Sequence, residues 1–442
     1  MRYAIIHPSF AVHGGAEVLI ARLASELAGR GHEVALFSAH TRGSAALSGL
    51  DVRLEVADLG LGPQYFDKLS FRDWARVGAV LAPRLLRCDV LCFQGLPSPL
   101  WWRAALEVEP LLLNVPSLWF CHGLVGWLYD DVAGANTRRA LSALGRGGDR
   151  KGAALAQARL GLIRERGLTW TLGKLWRVAR VGLGDPRPAF IEAEKDAVGK
   201  FTGVLANSEL TARNLGEIFG VEAGVCYPGL APEEIPAAFS EPGRDMLTVA
   251  RLQFSKNHRG LLEAVAELKR RGTIPFRRYV IAGDGPELGD LRRFVAEQGI
   301  GDVVELAGRV TGRDLDALYE RAGLFALPAF DEGFGLVYLE AAARARPSLA
   351  PDHGGPAEIV VEGETGWLVD PCDPLQMAEV IRSAFSQRDE LRRRGLAARR
   401  RLLSEFTVER FVDSFEDAVA RMVAAKSGGA QARSAFRKGG LA

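Results

Sequence analysis

The run Leu324-Phe325-Ala326-Leu327-Pro328-Ala329-Phe330-Asp331-Glu332-Gly333-Phe334-Gly335-Leu336-Val337-Tyr338-Leu339-Glu340 carries the pattern that decides the fold. It reads as a short apolar strand, a turn holding two carboxylates and two glycines, and then a segment of helical period. A buried strand that feeds straight into a helix is half of a crossover unit. Repetition of that unit builds parallel sheets covered by helices. Gly333 and Gly335 let backbone approach a ligand closely, and the free N–H groups of the first helical turn favour an anion in front of them. A diphosphate is the natural guest. Gly333, Phe334, Gly335 and Leu336 would line it, Glu332 would hydrogen-bond sugar hydroxyls, and Glu340, two turns into the helix, would accept both hydroxyls of a ribose.

Outward from this run the same alternation recurs. On its N-terminal side the strands expected in the second half of the chain are Met246 to Ala250, Arg278 to Ala282 and Val303 to Leu306; on its C-terminal side, Trp367 to Val369. In the first half they are Tyr3 to His7, Glu33 to Ser38, Asp89 to Phe93, Leu111 to Val115, Leu118 to Cys121, Gly203 to Ala206 and Gly224 to Tyr227, with a first helix over Ala16 to Ala28. A Pro-rich, acidic stretch, Pro228 to Pro242, interrupts the rhythm and reads as an interdomain linker. The expected fold class is therefore α/β with two Rossmann-like, doubly wound parallel-sheet domains. The first spans 1–227, the linker 228–245 and the second 246–403. A helix over 404–426 crosses back to the first domain, and the Gly- and Ser-rich tail 427–442 has little to bury and is expected to be disordered.

At 442 residues, each domain is long enough to bury a core. A formal charge of +2 gives no field suited to nucleic acid, so no nucleic-acid partner is expected. Five scattered cysteines without Cys-x-x-Cys spacing argue against a disulfide framework and against a zinc site, and fit a reducing cytoplasm. Pro110 to Tyr129, the most apolar stretch, is broken by Asn114, Pro116 and His122 and is not expected to span a membrane. Between Asn136 and Arg187 twelve Arg or Lys stand against three acids, interleaved with Leu, Ile, Trp170 and Trp176. That mixture suits peripheral contact with an anionic membrane surface, and equally a solvated helical hairpin.

A second group of chemistry-bearing residues follows the strand Met246 to Ala250. Arg251 and Lys256 stand at the carboxyl edge, where open α/β sheets bind ligands, and can neutralise a departing diphosphate. The Gly pair Gly14-Gly15 lies between the first strand and the first helix, leaving N–H groups that no Cβ shields. His122 ends an apolar strand, a placement that suits both a core histidine and a ligand contact. Gly283-Asp284-Gly285 lacks the remaining glycine spacing and the acidic ribose partner of a dinucleotide site, so a dehydrogenase is set aside.

Taken together these residues resemble the retaining glycosyltransferases of family 4, which have the two-domain GT-B architecture and a Glu-x7-Glu motif with a preceding Arg and Lys. Here the motif is Glu332 to Glu340, with Arg251 and Lys256. Further matching stretches run in order along nearly the whole chain: Gly14-Gly15-Ala16-Glu17, Leu205-Ala206-Asn207-Ser208-Glu209, Tyr227-Pro228-Gly229, Gly283-Asp284-Gly285-Pro286, Ala307-Gly308-Arg309-Val310 and Gly354-Gly355-Pro356-Ala357-Glu358. His7-Pro8, Gly31-His32-Glu33-Val34 and Phe120-Cys121-His122 look most like mannosyltransferases acting on lipid-linked acceptors. The resemblance implies two domains facing a cleft, Gly14 and Gly15 closing over the donor phosphate, His122 beside the transferred sugar, and Arg309 and Val310 against the nucleobase. It also implies a metal-independent transfer of a hexosyl group, mannose from GDP-mannose, to a glycan or lipid-linked acceptor, with no cofactor besides the nucleoside-diphosphate sugar itself. A UDP-sugar-dependent transferase, an epimerase or phosphorylase on the same architecture, and a silent sugar-nucleotide-binding scaffold are the rival expectations.

Overall fold

The computed structural model describes residues 1–10, 14–39, 41, 47, 54–59, 71–96, 98–122 and 187–427. The chain divides into two compact units. The expected basic insertion 136–187, apart from the start of a helix at Arg187, and the tail beyond Ser427 lie outside the described residues.

The first unit runs β1 (Arg2–Ile6), α1 (Gly15–Gly29), β2 (Glu33–Ser38), β3 (Leu54–Asp58), α2 (Phe71–Leu85), β4 (Val90–Gln94), α3 (Ser98–Val108), β5 (Ser117–Cys121), α4 (Arg187–Val198), β6 (Gly203–Ala206), α5 (Glu209–Phe219) and β7 (Gly224–Val225). Its sheet is seven-stranded in the order β3-β2-β1-β4-β5-β6-β7, and every pairing is parallel. Central strands such as Val90-Leu91-Cys92-Phe93 and Leu118-Trp119-Phe120-Cys121 are continuous apolar runs because helices cover both of their faces, and every one of those side chains is buried.

Leu111 to Val115 is not the strand its composition suggests. Pro110 to Asn114 is a turn of 3₁₀-helix with Pro110 near its start, and the Glu109 carboxylate accepts from the Leu111 N–H. Leu111 and Leu113 point to solvent, at 62% and 46% exposure. Pro110 removes a ladder donor and the Glu109 cap satisfies the turn locally, so this apolar run never enters the sheet.

The second unit runs β8 (Asp245–Val249), α6 (His258–Arg270), β9 (Arg278–Ala282), α7 (Leu288–Glu297), β10 (Val304–Gly308), α8 (Gly312–Arg321), β11 (Ala322–Ala326), α9 (Leu336–Ala343), β12 (Ser348–Pro351), α10 (Pro356–Ile359), β13 (Gly366–Val369), α11 (Pro374–Ser386) and α12 (Arg388–Glu405). The order of its six strands is β10-β9-β8-β11-β12-β13, again all parallel. In each sheet the chain winds outward from a central pair, β1 with β4 and β8 with β11. Loops leaving such a pair diverge to opposite faces of the sheet, and the crevice left between them is where ligands bind in this class of fold.

The unit boundaries fall at Gly229/Leu230 and Thr407/Val408. Most of the Pro-rich stretch read as a linker is thus fixed to the second unit, and the reason is a set of arginines. Arg399, Arg346 and Arg388 donate to the carbonyls of Pro236, Ser240 and Pro242 at 2.7, 2.9 and 2.9 Å. Beyond the buried Leu230 and Ala231, the segment is held through its backbone acceptors.

After Thr407 the chain returns to the first unit as α13 (Val408–Ser427). Val408, Phe411, Val412, Phe415, Val419 and Met422 are buried at helical spacing. Arg30 bonds Asp413 and Glu416 at 2.6 and 2.5 Å, and Lys426 Nζ donates to the Val115 carbonyl at 3.1 Å. Among the described residues no helix is long and apolar enough to cross a membrane.

Candidate active site

Beyond Val249 the chain does not leave the sheet at once. The N–H groups of Ala250 and Leu252 donate to Ala282 and Asp284, and Glu287 N–H donates back to Leu252. A Cβ on Gly283 would lie 2.9 Å from the Ala250 carbonyl carbon, and one on Gly285 would lie 2.8 Å from that of Leu252. The Gly283-Asp284-Gly285 turn therefore exists to let two backbones touch, which aims Arg251 from the carboxyl edge. The Arg251 guanidinium is exposed and has no side-chain partner among the described residues.

Phe254–Lys256 forms one 3₁₀ turn, ended by Asn257 in the left-handed conformation at φ 54°. The buried Asn257 side chain accepts from Gly260 N–H at 3.2 Å, capping α6. It also donates to the carbonyls of Pro328 and Pro371 at 3.0 and 2.8 Å, so one amide ties together the loops after β8, β11 and β13. Asn257→Ala is expected to cost ~3 kcal/mol, the sum of a lost cap and two carbonyls left unpaired, on a scale of about 1 kcal/mol each. Urea unfolding measures this directly, and a loss below ~0.5 kcal/mol would show that the staple contributes nothing.

His258 donates from Nε2 to the Arg251 carbonyl at 2.9 Å. Burial, helped by the charge of Lys256 and opposed by that bond, holds its imidazole down to about 4, so the ring is neutral near pH 7. The cations of this loop are thus Arg251 and Lys256.

Lys256 Nζ meets Glu332 Oε2 at 2.6 Å, with the two side chains 16% and 18% exposed. Backbone bonds set this pair. Phe330 N–H donates to the Ser255 carbonyl at 2.8 Å, and Gly355 N–H to that of Glu332 at 3.2 Å. Burial raises the Asp331 carboxyl, with the Lys256 charge acting against it. Gly335 opens α9 at φ 99°, where a Cβ would also run into the Tyr338 ring at 2.6 Å, so glycine is required on both counts. The Tyr338 hydroxyl donates to the Leu327 carbonyl and pins α9 to the end of β11. The structure thus brings Lys256, Glu332, Gly333, Phe334, Gly335 and Leu336 into one place at the β8/β11 switch point, with Arg251 on the same loop.

Arg309 and Val310 follow β10, and Gly308 ties that turn to the same edge by accepting from Gly283 N–H at 2.7 Å. Arg309 is exposed without a side-chain partner among the described residues. Glu340 lies on α9, where one of its oxygens accepts from the Tyr319 hydroxyl at 2.9 Å. Tyr319 thereby holds a carboxylate that the sequence reading left unsupported. His353, also missed, lies between the Asp352 carboxylate at 2.8 Å and the Phe330 carbonyl at 3.2 Å, which brings the loop after β12 against the turn of Asp331 and Glu332.

In the first unit, Gly14 is the N-cap of α1 and Gly15 its first residue, at the carboxyl edge of β1. A Cβ on Gly14 would lie 2.7 Å from Glu17 Oε2. His122 follows β5, with Nε2 at 2.7 Å from Gln94 Oε1 and its backbone carbonyl accepting from Asn207 Nδ2 at 2.8 Å. Burial, then the neighbouring His7, hold its imidazole down to about 3. It is a neutral ring.

Comparison with known proteins agrees with the two-domain fold. The family described as Glycosyltransferase Family 4 matches residues 13–234, and the one described as Glycosyl transferases group 1 matches residues 233–401. A D-inositol 3-phosphate glycosyltransferase of Nocardia farcinica is 30% identical over 414 residues, covering 87% of this chain and 80% of that protein. A GDP-mannose-dependent alpha-(1-6)-phosphatidylinositol monomannoside mannosyltransferase of Mycolicibacterium smegmatis is 34% identical over 135 residues, 29% of this chain and 35% of that one. Among solved structures, a sucrose-phosphate synthase from Thermosynechococcus elongatus shares the fold with a TM-score of 0.72 at 19% identity, over 96% of this chain and 99% of that one. A site of cations and a glycine-opened helix at a switch point, a Glu332-to-Glu340 motif and a relative matched over most of its length lead to one assignment: the chain belongs to glycosyltransferase family 4 and is a glycosyltransferase of GT-B architecture.

Proposed function

We propose that the chain transfers mannose from GDP-mannose, with retention of anomeric configuration, to a lipid-linked or glycan acceptor in cell-envelope glycan synthesis. The observation that carries this reading is the Lys256–Glu332 pair at 2.6 Å beside the left-handed Gly335 that opens α9. A cation and the N-terminal end of a helix there suit a diphosphate, and the carboxylate beside the cation suits sugar hydroxyls. The mannosyl donor is supported by the GDP-mannose-dependent relative, and a lipid-linked or inositol-containing acceptor by what the names of both relatives state.

In the proposed step the bond from the anomeric carbon to the phosphate oxygen breaks, its electron pair going to the diphosphate. The acceptor hydroxyl adds to the same face of the sugar and passes its proton to the leaving phosphate oxygen. Arg251, Lys256 and the first turn of α9 stabilise the departing charge without a metal. Glu340 takes the ribose hydroxyls, and the backbone at Arg309 and Val310 takes the base. Gly14 and Gly15 take the donor phosphate, and His122 a hydroxyl of the transferred sugar. The basic segment 136–187 is proposed to rest on an anionic membrane surface.

The test offers GDP-, UDP- and ADP-sugars to purified protein with lipid-linked and soluble acceptors, scoring nucleotide release and product. Turnover of GDP-mannose with an α-linked product is expected. Turnover of a UDP-sugar alone would overturn the donor assignment, and binding of donors without turnover of any would make the protein a scaffold.

A further inference from the structure

Three polar atoms near the carboxyl edge of the first sheet are buried without a hydrogen-bond partner among the described residues: His7 Nε2, Gln94 Nε2 and His122 Nδ1. They belong to one connected cluster. Gln94, the last residue of β4, is fully buried. Its side-chain oxygen lies 2.7 Å from His122 Nε2, and its backbone carbonyl accepts from His7 Nδ1 at 3.3 Å. Gly95, next to it at φ 62°, lies beside both rings: a Cβ there would sit 4.0 Å from His122 Cδ2 and from His7 Cε1, in ordinary contact. A fully buried glutamine at the end of a parallel strand is costly unless its amide is used. Here the amide oxygen is used on His122, and the backbone carbonyl on His7.

We propose that Gln94 is a positioning residue: its amide oxygen accepts the Nε2 proton of His122, fixing the neutral tautomer and leaving the Nδ1 lone pair to accept a hydroxyl of the transferred sugar. The proposal rests on the reading of His122 as a sugar contact. Asn207 fixes the other end of the residue by donating to the His122 carbonyl. A ring held through Nε2 and through its own backbone keeps one orientation, and that is what an acceptor for a single hydroxyl needs. The titratable groups that the described residues bring against this corner are His7 and, 3.7 Å from His7 Nε2, Glu17 on α1. Both stay in place in every variant below, so differences between variants report on position 94.

The experiment compares Gln94→Leu, Gln94→Glu and His122→Ala with the unaltered protein, each checked for a native thermal transition. Ring ¹⁵N shifts of His122 give the tautomer independently of turnover. The unaltered protein is expected to show the Nε2-protonated form and no ionisation of this ring between about pH 6 and 9. Gln94→Leu is expected to lose the single tautomer and about tenfold in kcat, the lower end of what outer partners of functional histidines contribute at metal sites. Gln94→Glu places a carboxylate against Nε2, which favours the imidazolium. Its rate is therefore expected to fall as pH falls through the raised ring value, an acid limb that a merely space-filling residue would not create. A Nδ1-protonated ring in the unaltered protein, or a flat profile for Gln94→Glu, overturns the proposal. Should His122→Ala turn over at the unaltered rate, the sugar-contact reading of His122 fails. A slow His122→Ala beside a normal Gln94→Leu defeats the positioning role alone.

Discussion

Lys256→Ala is expected to lower kcat by about a hundredfold or more while leaving the fold in place, since loss of one preorganised group at a developing charge removes ~3–4 kcal/mol of transition-state stabilisation. The size follows from where the ammonium sits. Its side chain is 16% exposed, and at an effective dielectric of about 20 a unit charge 4 Å from a phosphate oxygen is worth about 4 kcal/mol. Truncation also leaves the Glu332 carboxylate, 18% exposed, facing the incoming diphosphate with no cation between them. The rate loss is thus compounded by weaker donor binding, and Lys256→Ala with Glu332→Gln should recover donor affinity but not the rate. Measuring kcat and KM for nucleotide release, with a thermal scan of each variant, separates these effects. A single variant within about threefold of the unaltered rate would remove Lys256 from the chemistry.

Much of this site could be read from residue order, because parallel sheets concentrate their information. Continuous apolar runs such as Val90 to Phe93 and Tyr279 to Ala282 are recognisable without partners, and the residues that follow a strand must lie at its carboxyl edge. That logic placed Arg251, Lys256 and Glu332 at the edge of the second sheet and His122 at the edge of the first. It failed where local chemistry overrides composition: Leu111 to Val115 has strand residues, but Pro110 and the Glu109 cap make it a 3₁₀ turn. It also missed β12, a Ser-Leu-Ala-Pro strand whose membership depends on pairing with β11 and β13. Asn257 escaped because its role needs three loops from distant parts of the chain, and Gln94 because nothing in a glutamine's sequence neighbours reports that it ends up beside two histidines. Gly283-Asp284-Gly285 shows the converse. Its glycines are required by the approach of Ala250 and Leu252.

The same distinction makes Gly355 the most informative glycine in the second unit. Its φ of −56° and ψ of −35° suit any residue, so an alanine there meets no backbone penalty. What it meets is the turn of Gly333 and Phe334: a Cβ would lie 2.5 Å from Phe334 Cα and closer still to the Gly333 carbonyl oxygen. That turn cannot slide away. Phe334 is 3% exposed with its ring 6.0 Å from that of Phe406, and Gly335 behind it is already closed in by Tyr338. Gly355→Ala must therefore displace Glu332 and the start of α9, or break the Gly355 N–H bond to the Glu332 carbonyl. Overpacking of this kind costs ~1–3 kcal/mol, and a shift of about 1 Å at a positioned group lowers turnover by up to ~10²-fold. Gly289→Ala is the matched control. It sits exposed in α7 with nothing within 4 Å of the added methyl, and replacing a helical glycine should raise stability by ~0.5–1 kcal/mol with turnover unchanged. Equal effects of the two substitutions on turnover would mean that the packing of Gly355 against Gly333 and Phe334 does not set the geometry of the proposed donor site.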